Sequence, residues 1–266
     1  MENPKKSLGQ HWLKDNSVLI QIAKAGKLTS NDTVLEIGPG LGFLTKHLVE
    51  GAGQVVAVEL DERLAKGLAH NFRSPKLKVV AADILKFDLG SLPAGYKVVA
   101  NIPYYLTSHL LRALAEAANP PALIVLLVQK EVAKRVCAKP GQMSLLSVSA
   151  QLYYDCQLGL TVKAELFEPP PKVDSQLLIL TRRPKPLFEK LDSKLFFQIV
   201  KAGFSARRKK LRSSLAGGLN IKKAQADEIL AKAEVNGDLR AEALSFSQWY
   251  KLYIEFAVQK DLRSLL

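Results

Sequence analysis

The sequence is poor in cysteine and has no long hydrophobic run, and each shortage excludes a class of protein. Among 266 residues only Cys137 and Cys156 are cysteines, with no C-x-x-C spacing and no histidine cluster nearby. A disulfide framework or a zinc site is therefore not expected, and we predict two buried, reduced thiols. The longest apolar run, residues 122–128, has seven residues, whereas a membrane-spanning helix needs about 20. The N-terminal residues lack the apolar stretch of a secretory signal, so we expect a cytoplasmic protein without a metal or a membrane segment.

Acidic residues are fewer than basic ones, and the difference is unevenly distributed. The chain has 38 lysines and arginines against 25 aspartates and glutamates, a formal net charge of +13. Residues 184–266 hold 16 of the basic and 9 of the acidic side chains, so positive charge is denser there than in the preceding part. Such an excess favours a polyanionic partner, because each neutralised phosphate releases a counterion. A charge that only keeps the protein in solution is the alternative.

Short apolar segments alternate with helical patterns through the first two thirds of the chain. Strands rich in Val, Ile and Leu are predicted at residues 33–38, 55–60, 77–83, 97–102 and 123–129. They are apolar nearly throughout, as strands buried on both faces of a parallel sheet are. Helices are predicted at residues 43–51, 61–72, 107–118, 129–138 and 143–151. This alternation predicts a doubly wound α/β sheet. Two further strands, at residues 153–162 and 176–182, lack a crossover helix between them and predict an antiparallel pair at one edge.

A break in composition marks the end of the sheet region. The segment R-R-P-K-P at residues 182–186 has two prolines and no apolar run, which is typical of a linker. Beyond it apolar residues recur at helical spacing from Leu195 to Leu215, ending at Gly217 and Gly218, and further helices are predicted at residues 224–233 and 247–258. We therefore predict two domains, an α/β domain over residues 1–183 and a small all-α domain over residues 184–266.

A glycine-rich loop follows the first predicted strand. Gly38, Gly40 and Gly42 are spaced G-x-G-x-G in the segment E-I-G-P-G-L-G. This is neither the G-x-G-x-x-G dinucleotide fingerprint nor a phosphate-binding P-loop. Glycines let a ligand approach the backbone without a Cβ in the way, and the preceding Glu36 suits a cationic ligand without a pyrophosphate. A tight structural turn is the alternative.

Two carboxylates follow the next two strands at the same predicted edge of the sheet. Glu59 ends the second strand in V-E-L-D and can accept hydrogen bonds from two ribose hydroxyls. Asp83 ends the third strand and can accept from an adenine amino group. Asp61 is the better candidate for a helix N-cap. Because open α/β sheets bind ligands at the carboxyl ends of their strands, Gly38, Glu59 and Asp83 predict a site for a nucleoside-like ligand.

The most informative segment is N-I-P-Y-Y, residues 101–105, at the end of the fourth strand. An exocyclic amine such as adenine N6 is a poor nucleophile because its lone pair is delocalised into the ring. A site that accepts hydrogen bonds from both N–H groups of this amine draws the nitrogen toward tetrahedral geometry. Asn101 Oδ1 offers one acceptor, and a carbonyl of the turn that Pro103 stiffens offers the other. Tyr104 supplies an aromatic face for a stacked base.

Together these segments resemble a known family. E-I-G-P-G-L-G, V-E-L-D, Asp83 and N-I-P-Y-Y look like the ribosomal RNA adenine-N6 dimethyltransferases, S-adenosylmethionine-dependent enzymes with a Rossmann-like, seven-stranded class I methyltransferase sheet. K-S-L-G-Q-H-W-L at residues 6–13 is similar to the family's G-Q-N-F-L motif, and F-E-P-P-P-K-V-D-S at residues 167–175 to its F-x-P-P-P-K-V-D-S loop. This loop and the basic C-terminal helix favour the small-subunit, kasugamycin-resistance type. The resemblance covers about residues 5–258. His11, Trp12 and His109 depart from the commoner Asn, Phe and Pro.

The resemblance implies an activity and a set of site residues. It implies N6,N6-dimethylation of two adjacent adenosines in a hairpin loop near the 3′ end of small-subunit rRNA, with a role in small-subunit biogenesis. The implied partners of this monomeric enzyme are small-subunit rRNA and a 30S-type particle. The residues that would hold S-adenosyl-L-methionine are His11, Leu13, Gly38, Glu59, Asp83 and Asn101. The catalytic set is Asn101, Pro103, Tyr104 and Phe167, with the target adenine between Tyr104 and Phe167.

The C-terminal domain carries the densest basic cluster, at Arg207, Arg208, Lys209, Lys210 and Arg212. With Lys5, Lys6 and Lys172 it could follow RNA phosphates toward the site. A solvated helix face or a localisation signal is the alternative for such a run. Three other functions stay open: a large-subunit rRNA methylase of the macrolide-resistance type, a nicotinamide dehydrogenase, and a non-catalytic assembly or transcription factor. The absence of G-x-G-x-x-G argues against the dehydrogenase, and intact Gly38 and Asn101 argue for chemistry.

Overall fold

The computed structural model describes residues 10–264, with side chains through residue 259. The described chain divides into two compact units. The first comprises residues 10–134 and 153–184, and the second comprises residues 135–152 and 185–264. Lys5 and Lys6, which the sequence suggests as phosphate contacts, lie outside the described residues. In the described part of the chain no helix is long and apolar enough to span a bilayer.

The first unit alternates strands and helices as the sequence predicts. In chain order it contains β1 (Trp12–Leu13), α1 (Asn16–Ala25), β2 (Thr33–Ile37), α2 (Phe43–Gly51), β3 (Gln54–Glu59), α3 (Glu62–Asn71), β4 (Leu77–Ala81), β5 (Lys97–Asn101), α4 (Thr107–Glu116) and β6 (Leu123–Gln129). Helix α5 (Lys130–Val136) then leads into the second unit, where α6 (Leu145–Gln151) lies. The chain returns to the first unit for β7 (Tyr154–Val162), β8 (Phe167–Glu168) and β9 (Ser175–Arg182).

Seven of these strands form one sheet in the order β4-β3-β2-β5-β6-β9-β7. The first five are parallel, whereas β9 is antiparallel to both β6 and β7. The predicted seven-stranded sheet is confirmed, including the antiparallel pair at one edge. Strand order reverses between β2 and β5, which is where sheets of this type open a ligand crevice at their carboxyl ends.

Burial explains why the central parallel strands are largely apolar: in β6 every residue from Leu123 to Val128 is buried. The expectation fails for β4, which lies at the edge of the sheet, contains Lys78 and has no fully buried residue. Helix α3 begins where its cap residue allows: the Asp61 carboxylate accepts a hydrogen bond from the Arg63 amide at 3.1 Å. Asp61 is therefore an N-cap, as the sequence suggests. Helix α4 begins at Thr107 even though His109, and not the family's proline, stands near its start.

A second, very short sheet joins distant parts of the first unit. Strands β1 and β8 pair antiparallel, with Trp12 opposite Glu168 and Leu13 opposite Phe167. Leu13 and Phe167 are both buried and belong to the same hydrophobic core as the central strands. The pairing therefore anchors the N-terminal segment on the loop that precedes β9.

The second unit is helical. Besides α6 it contains α7 (Ser193–Gly203), α8 (Leu211–Leu219), α9 (Lys223–Lys232) and α10 (Phe246–Ser264). The single helix expected from Leu195 to Leu215 is wrong, because a 3₁₀ turn at Phe204–Ala206 and a further turn separate α7 from α8. The expected end at Gly217 and Gly218 is also wrong: α8 runs through both glycines, and Asn220 caps it in the left-handed conformation at φ 53°. Cys137 and Cys156, expected to be buried, are half-buried.

Candidate active site

A cavity of about 230 Å³ opens at the carboxyl ends of β2, β3, β4 and β5, within the first unit. Every residue that the sequence predicts for cofactor binding or catalysis lines it: His11, Leu13, Gly38, Glu59, Asp83, Asn101, Pro103, Tyr104 and Phe167. These residues come from six separate segments of the chain. Their convergence follows from the parallel sheet, which brings its strand ends to one edge, and from the β1–β8 pair, which adds a second wall.

The glycine loop between β2 and α2 forms the floor of the cavity. Gly38 and Gly40 have φ values of 63° and 57°, in the left-handed region that side chains rarely adopt. The loop is held in place because the Gly38 amide donates to the Val58 carbonyl at 2.9 Å. A Cβ on Gly40 would lie 3.4 Å from Trp12 Nε1. The left-handed backbone therefore favours glycine at both positions, whereas a Cβ at position 40 would only come into contact with Trp12.

Glu59 is a buried carboxylate, and each of its two oxygens accepts a hydrogen bond from a backbone amide of the protein. Its Oε2 accepts from the Gly40 amide at 3.0 Å, and its Oε1 accepts from the Asp61 amide at 2.9 Å. Burial raises the pKa of Glu59 above its ordinary value, and these two hydrogen bonds oppose that rise. Each oxygen retains a lone pair for another donor. Glu59 can therefore both fix the glycine loop and accept from a ligand's hydroxyls.

Asp83 lies beside two apolar side chains that are unusually exposed. One oxygen of Asp83 accepts from the Leu85 amide at 3.0 Å. Leu60 is 50% exposed and Leu85 46% exposed, and both line the cavity. A carboxylate flanked by apolar surface suits the amino group of a purine whose faces pack on leucine.

Glu36 differs from what the sequence suggests. Its side chain is only 1% exposed, and burial raises its pKa to about 8. The neighbouring Thr45 hydroxyl interacts with this carboxyl and opposes the rise in its pKa, although Oε2 makes no hydrogen bond of good geometry within the described residues. Burial therefore favours the neutral form of this carboxyl, and a cationic ligand beside it would favour the charged form.

The N-I-P-Y segment forms a tight turn at the end of β5. The Asn101 amide nitrogen is 3.5 Å from the His11 carbonyl, which directs the amide oxygen the other way. Pro103, with φ at −58°, leads into a 3₁₀ turn over Tyr104–Leu106, and its carbonyl accepts from the Leu106 amide at 3.1 Å. That bond uses one lone pair of the Pro103 carbonyl, so we expect the Ile102 carbonyl to be the second acceptor for an amine.

Tyr104 and Phe167 both reach the cavity, but from different surroundings. Tyr104 is half-buried, and its hydroxyl is 2.7 Å from Ser175 Oγ. Its ring stacks on His11, with centroids 5.8 Å apart and planes inclined by 23°. Phe167 is only 4% exposed and packs in the core. A base held between the two rings stays a prediction, since so little of the Phe167 ring is accessible.

Several contacts of the β1 segment were not foreseen from the sequence. His11 Nδ1 is 2.7 Å from the Pro169 carbonyl, which can only accept, so this nitrogen carries a proton. Lys14 pairs with Glu168 on the neighbouring strand. Trp12 Nε1 is buried without a hydrogen-bond partner among the described residues. Two-residue strands give no periodicity, so the signal for this segment in the sequence is its similarity to the family's G-Q-N-F-L motif, which does not specify these contacts.

The basic cluster lies in the second unit and does not line the cavity. Arg207, Arg208 and Lys209 are exposed in the turn between α7 and α8, not on a helix face. Lys210 is 3.0 Å from Asp238, and Arg212 pairs with both Asp227 and Asp238. The five cations therefore divide into an exposed group of three and two that are already paired with acids.

Comparison with known proteins identifies the family. Residues 1–257 match the family model described as "Ribosomal RNA adenine dimethylase". The chain belongs to the ribosomal RNA adenine dimethylase family. It is 42% identical over 257 residues to "Ribosomal RNA small subunit methyltransferase A" of Dehalococcoides mccartyi, covering 95% of this chain and 88% of that one. The protein of the same name from Acaryochloris marina is 41% identical over 263 residues, with 95% and 97% covered.

Solved structures agree with this rRNA adenine dimethyltransferase fold. A dimethyladenosine transferase from Plasmodium falciparum superposes with a TM-score of 0.80 at 25% identity, covering 94% of this chain and 98% of that one. The 23S rRNA methyltransferase ErmE superposes with a TM-score of 0.74 at 30% identity, covering 92% and 99%. The resemblance seen in the sequence is thus confirmed, and so is the enzymatic class: the chain is an rRNA adenine dimethyltransferase.

The cofactor of this rRNA adenine dimethyltransferase is S-adenosylmethionine, and the cavity fits it. At Gly38 and Gly40 the glycine loop lines the cavity with backbone in the left-handed conformation, so a ligand can approach the main chain there. Glu59 and Asp83 follow neighbouring strands at the edge where a nucleoside is held in such sheets. Leu60 and Leu85 supply apolar surface for its base. The unpartnered N–H of Trp12 adds a donor next to the loop.

Proposed function

We propose that this enzyme transfers methyl groups to N6 of two adjacent adenosines in a hairpin loop near the 3′ end of small-subunit rRNA, during small-subunit biogenesis. The observation that carries the proposal is that the glycine loop, both carboxylates and the N-I-P-Y turn line one cavity. Support for the small-subunit substrate comes from the F-E-P-P-P-K-V-D-S loop and from relatives 40–42% identical that bear the small-subunit name.

The cofactor would be held by the residues already predicted for it. S-adenosylmethionine supplies an electrophilic methyl group on a sulfonium sulfur. Gly38 brings the backbone close to this ligand, Glu59 accepts from its hydroxyls, and Asp83 accepts from its base. His11, Leu13 and Asn101 form the facing wall of the cavity.

The N-I-P-Y turn would make the target amine nucleophilic. Asn101 Oδ1 and the Ile102 carbonyl accept hydrogen bonds from the two N–H groups of the amine. These hydrogen bonds localise the nitrogen lone pair as the new bond forms. Pro103 fixes the turn, and Tyr104 with Phe167 stacks the flipped base. Because the methyl group arrives activated, the protein mainly supplies proximity and orientation. The described residues place no ionised general base at the turn, and the surplus proton leaves to solvent after transfer.

The second unit would contact RNA phosphates. Arg207, Arg208 and Lys209 are exposed together in one turn and have no acid between them. The particle that presents the hairpin is a 30S-type assembly intermediate, bound by a monomer in the cytoplasm where rRNA is made. The target base must leave its stack, so a loop adenosine is easier to extract than one in a duplex.

Methylation of large-subunit rRNA is the second candidate, favoured by the 30% identity to ErmE. Transfer of tritiated methyl groups to purified small subunits, large subunits and DNA separates the two. The proposal expects label in small-subunit rRNA alone, with up to two methyl groups on each of two adenosines. Label in large-subunit rRNA would overturn it in favour of the second candidate.

A variant of Asn101 tests the chemistry. Asn101→Ala removes the side-chain acceptor while leaving the glycine loop and Glu59 in place. We expect turnover to fall by at least about 100-fold and S-adenosylhomocysteine affinity, measured by calorimetry, to stay within about tenfold. Unchanged turnover would refute the role of the amide oxygen.

A further inference from the structure

Ser175 has a contact in the active site that the proposed mechanism leaves unexplained. Its hydroxyl lies 2.7 Å from the Tyr104 hydroxyl, and its side chain is completely buried. Ser175 is the last residue of the F-E-P-P-P-K-V-D-S segment, 71 positions after Tyr104. It therefore joins the turn after β5 to the beginning of β9.

Strand pairing gives Ser175 little freedom to move. It is the first residue of β9 and lies between two antiparallel neighbours, opposite Gln129 of β6 and Val162 of β7. Although Ser175 lies at the end of its strand, pairing on both sides restrains its backbone, whereas Tyr104 lies in a short 3₁₀ turn at the cavity. The hydrogen bond therefore holds the Tyr104 ring at a fixed position relative to the sheet.

The two faces of the Tyr104 ring are not equivalent. His11 stacks against one of them, and its own ring is held by the Pro169 carbonyl. The hydroxyl is tied to Ser175 at the ring edge. A base can therefore stack only on the remaining face, and the plane it meets is set by these two contacts.

We propose that Ser175 is a positioning residue that fixes the plane of the Tyr104 ring against which the target adenine stacks. The proposal rests on the role given to Tyr104 in the proposed function. Ser175 itself does not touch the reacting atoms. Without its hydroxyl the Tyr104 ring pivots about its turn, and the amine loses alignment with the methyl group.

A double-mutant cycle tests the contact. Tyr104→Phe keeps the stacking ring and removes only its oxygen, and Ser175→Ala removes only the partner. Each single change leaves the other hydroxyl unpaired in a buried site, so we expect kcat to fall by about tenfold in each. The double variant should be no worse than either single variant, because the two residues act through one bond. Affinity for S-adenosylhomocysteine should stay within about twofold in all three.

A spectroscopic readout separates positioning from simple loss of stability. The hairpin RNA for this assay carries the fluorescent base 2-aminopurine in place of the target adenine. Its fluorescence should be quenched when the base stacks on Tyr104. We expect weaker quenching with Ser175→Ala at saturating protein. Matched controls are Tyr154→Phe, which removes a buried hydroxyl 3.0 Å from the Pro121 carbonyl, and Ser147→Ala, at an equally buried serine. Neither residue lines the cavity, so both should lower the unfolding midpoint without changing kcat or quenching.

The outcomes distinguish this proposal from the function on which it rests. Tyr104→Ala removes the stacking ring, and full activity in that variant would overturn the role of Tyr104 and this proposal together. If Tyr104→Ala is inactive but Tyr104→Phe retains full kcat and full quenching, the Ser175 contact is only structural and this proposal alone is wrong. Tyr104→Phe serves this purpose even if Ser175→Ala fails to fold.

Discussion

Replacing Glu36 with glutamine should change how the stability of the enzyme depends on pH. Glu36 is 1% exposed, and burial raises its pKa from 4.5 to about 8, with the nearby Glu59 adding to the rise. Between these pH values the folded protein keeps a proton that the unfolded chain has released. The free energy of unfolding therefore falls as pH rises through this window, by up to about 1.4 kcal/mol per pH unit. Over the whole window the loss approaches about 5 kcal/mol.

Glu36→Gln removes this titration and keeps a neutral group of the same shape. Urea unfolding at about pH 5, 6, 7 and 8 should give a stability difference between the variant and the wild type that grows with pH, in favour of glutamine. Glu62→Gln, at an exposed position on α3, is the control and should give a constant difference. Parallel pH profiles for the wild type and Glu36→Gln would show that Glu36 is ionised in the folded protein, and would refute the reasoning.

Two further predictions concern the glycine loop and the basic turn. In a denaturant titration, Gly42→Ala should lower the free energy of unfolding by about 2–3 kcal/mol. The reason is that φ is 84° at Gly42 and the new Cβ would lie 2.5 Å from Leu68 Cδ1. The control is Gly67→Ala, in α3 with open space around it, which should be neutral or stabilising in the same titration. Changing Arg207, Arg208 and Lys209 together to glutamine should weaken rRNA binding and reduce the slope of log affinity against log salt by about 2–3. Lys210→Gln should reduce it less, since Asp238 already pairs with Lys210, and an unaltered slope in the triple variant would exclude the turn as a phosphate contact.

The sheet could be predicted from the sequence because its strands carry a signal within themselves. A strand such as β6 is buried on both faces and is therefore apolar over its whole length, with helices on either side. Helix α1 is not among the predicted elements, although the sequence carries its signals: Asp15 caps it, and Val18, Leu19 and Ile22 follow at helical spacing. The alternation of strands and helices begins only at residue 33 and gives no indication of a helix before it.

The break between α7 and α8 shows a limit of periodicity. Apolar residues keep helical spacing from Leu195 to Leu215, since two helices and a short turn pack their apolar sides on the same core. The contrary signal was the basic run itself. Successive residues of an α-helix turn by about 100°, so four consecutive cations, Arg207 to Lys210, would surround the helix. A turn exposes all four, and the structure has a turn there.

One wall of the site follows from the strand pattern itself, whereas the residues of the other wall, His11, Leu13 and Phe167, are expected only from the family resemblance, for a physical reason. Glu59, Asp83 and Asn101 follow parallel strands, and parallel strands must end at one edge, so the pattern of strands already places these side chains together. The opposite wall depends on β1 and β8, whose pairing joins Leu13 to Phe167 across 154 positions of sequence. No local preference encodes a contact of that range between two-residue strands; it forms because both side chains are apolar and reach the same core. The stacking wall is therefore the part of the site whose geometry depends most on tertiary packing, and the part where Ser175, His11 and Pro169 must fix what local sequence leaves free.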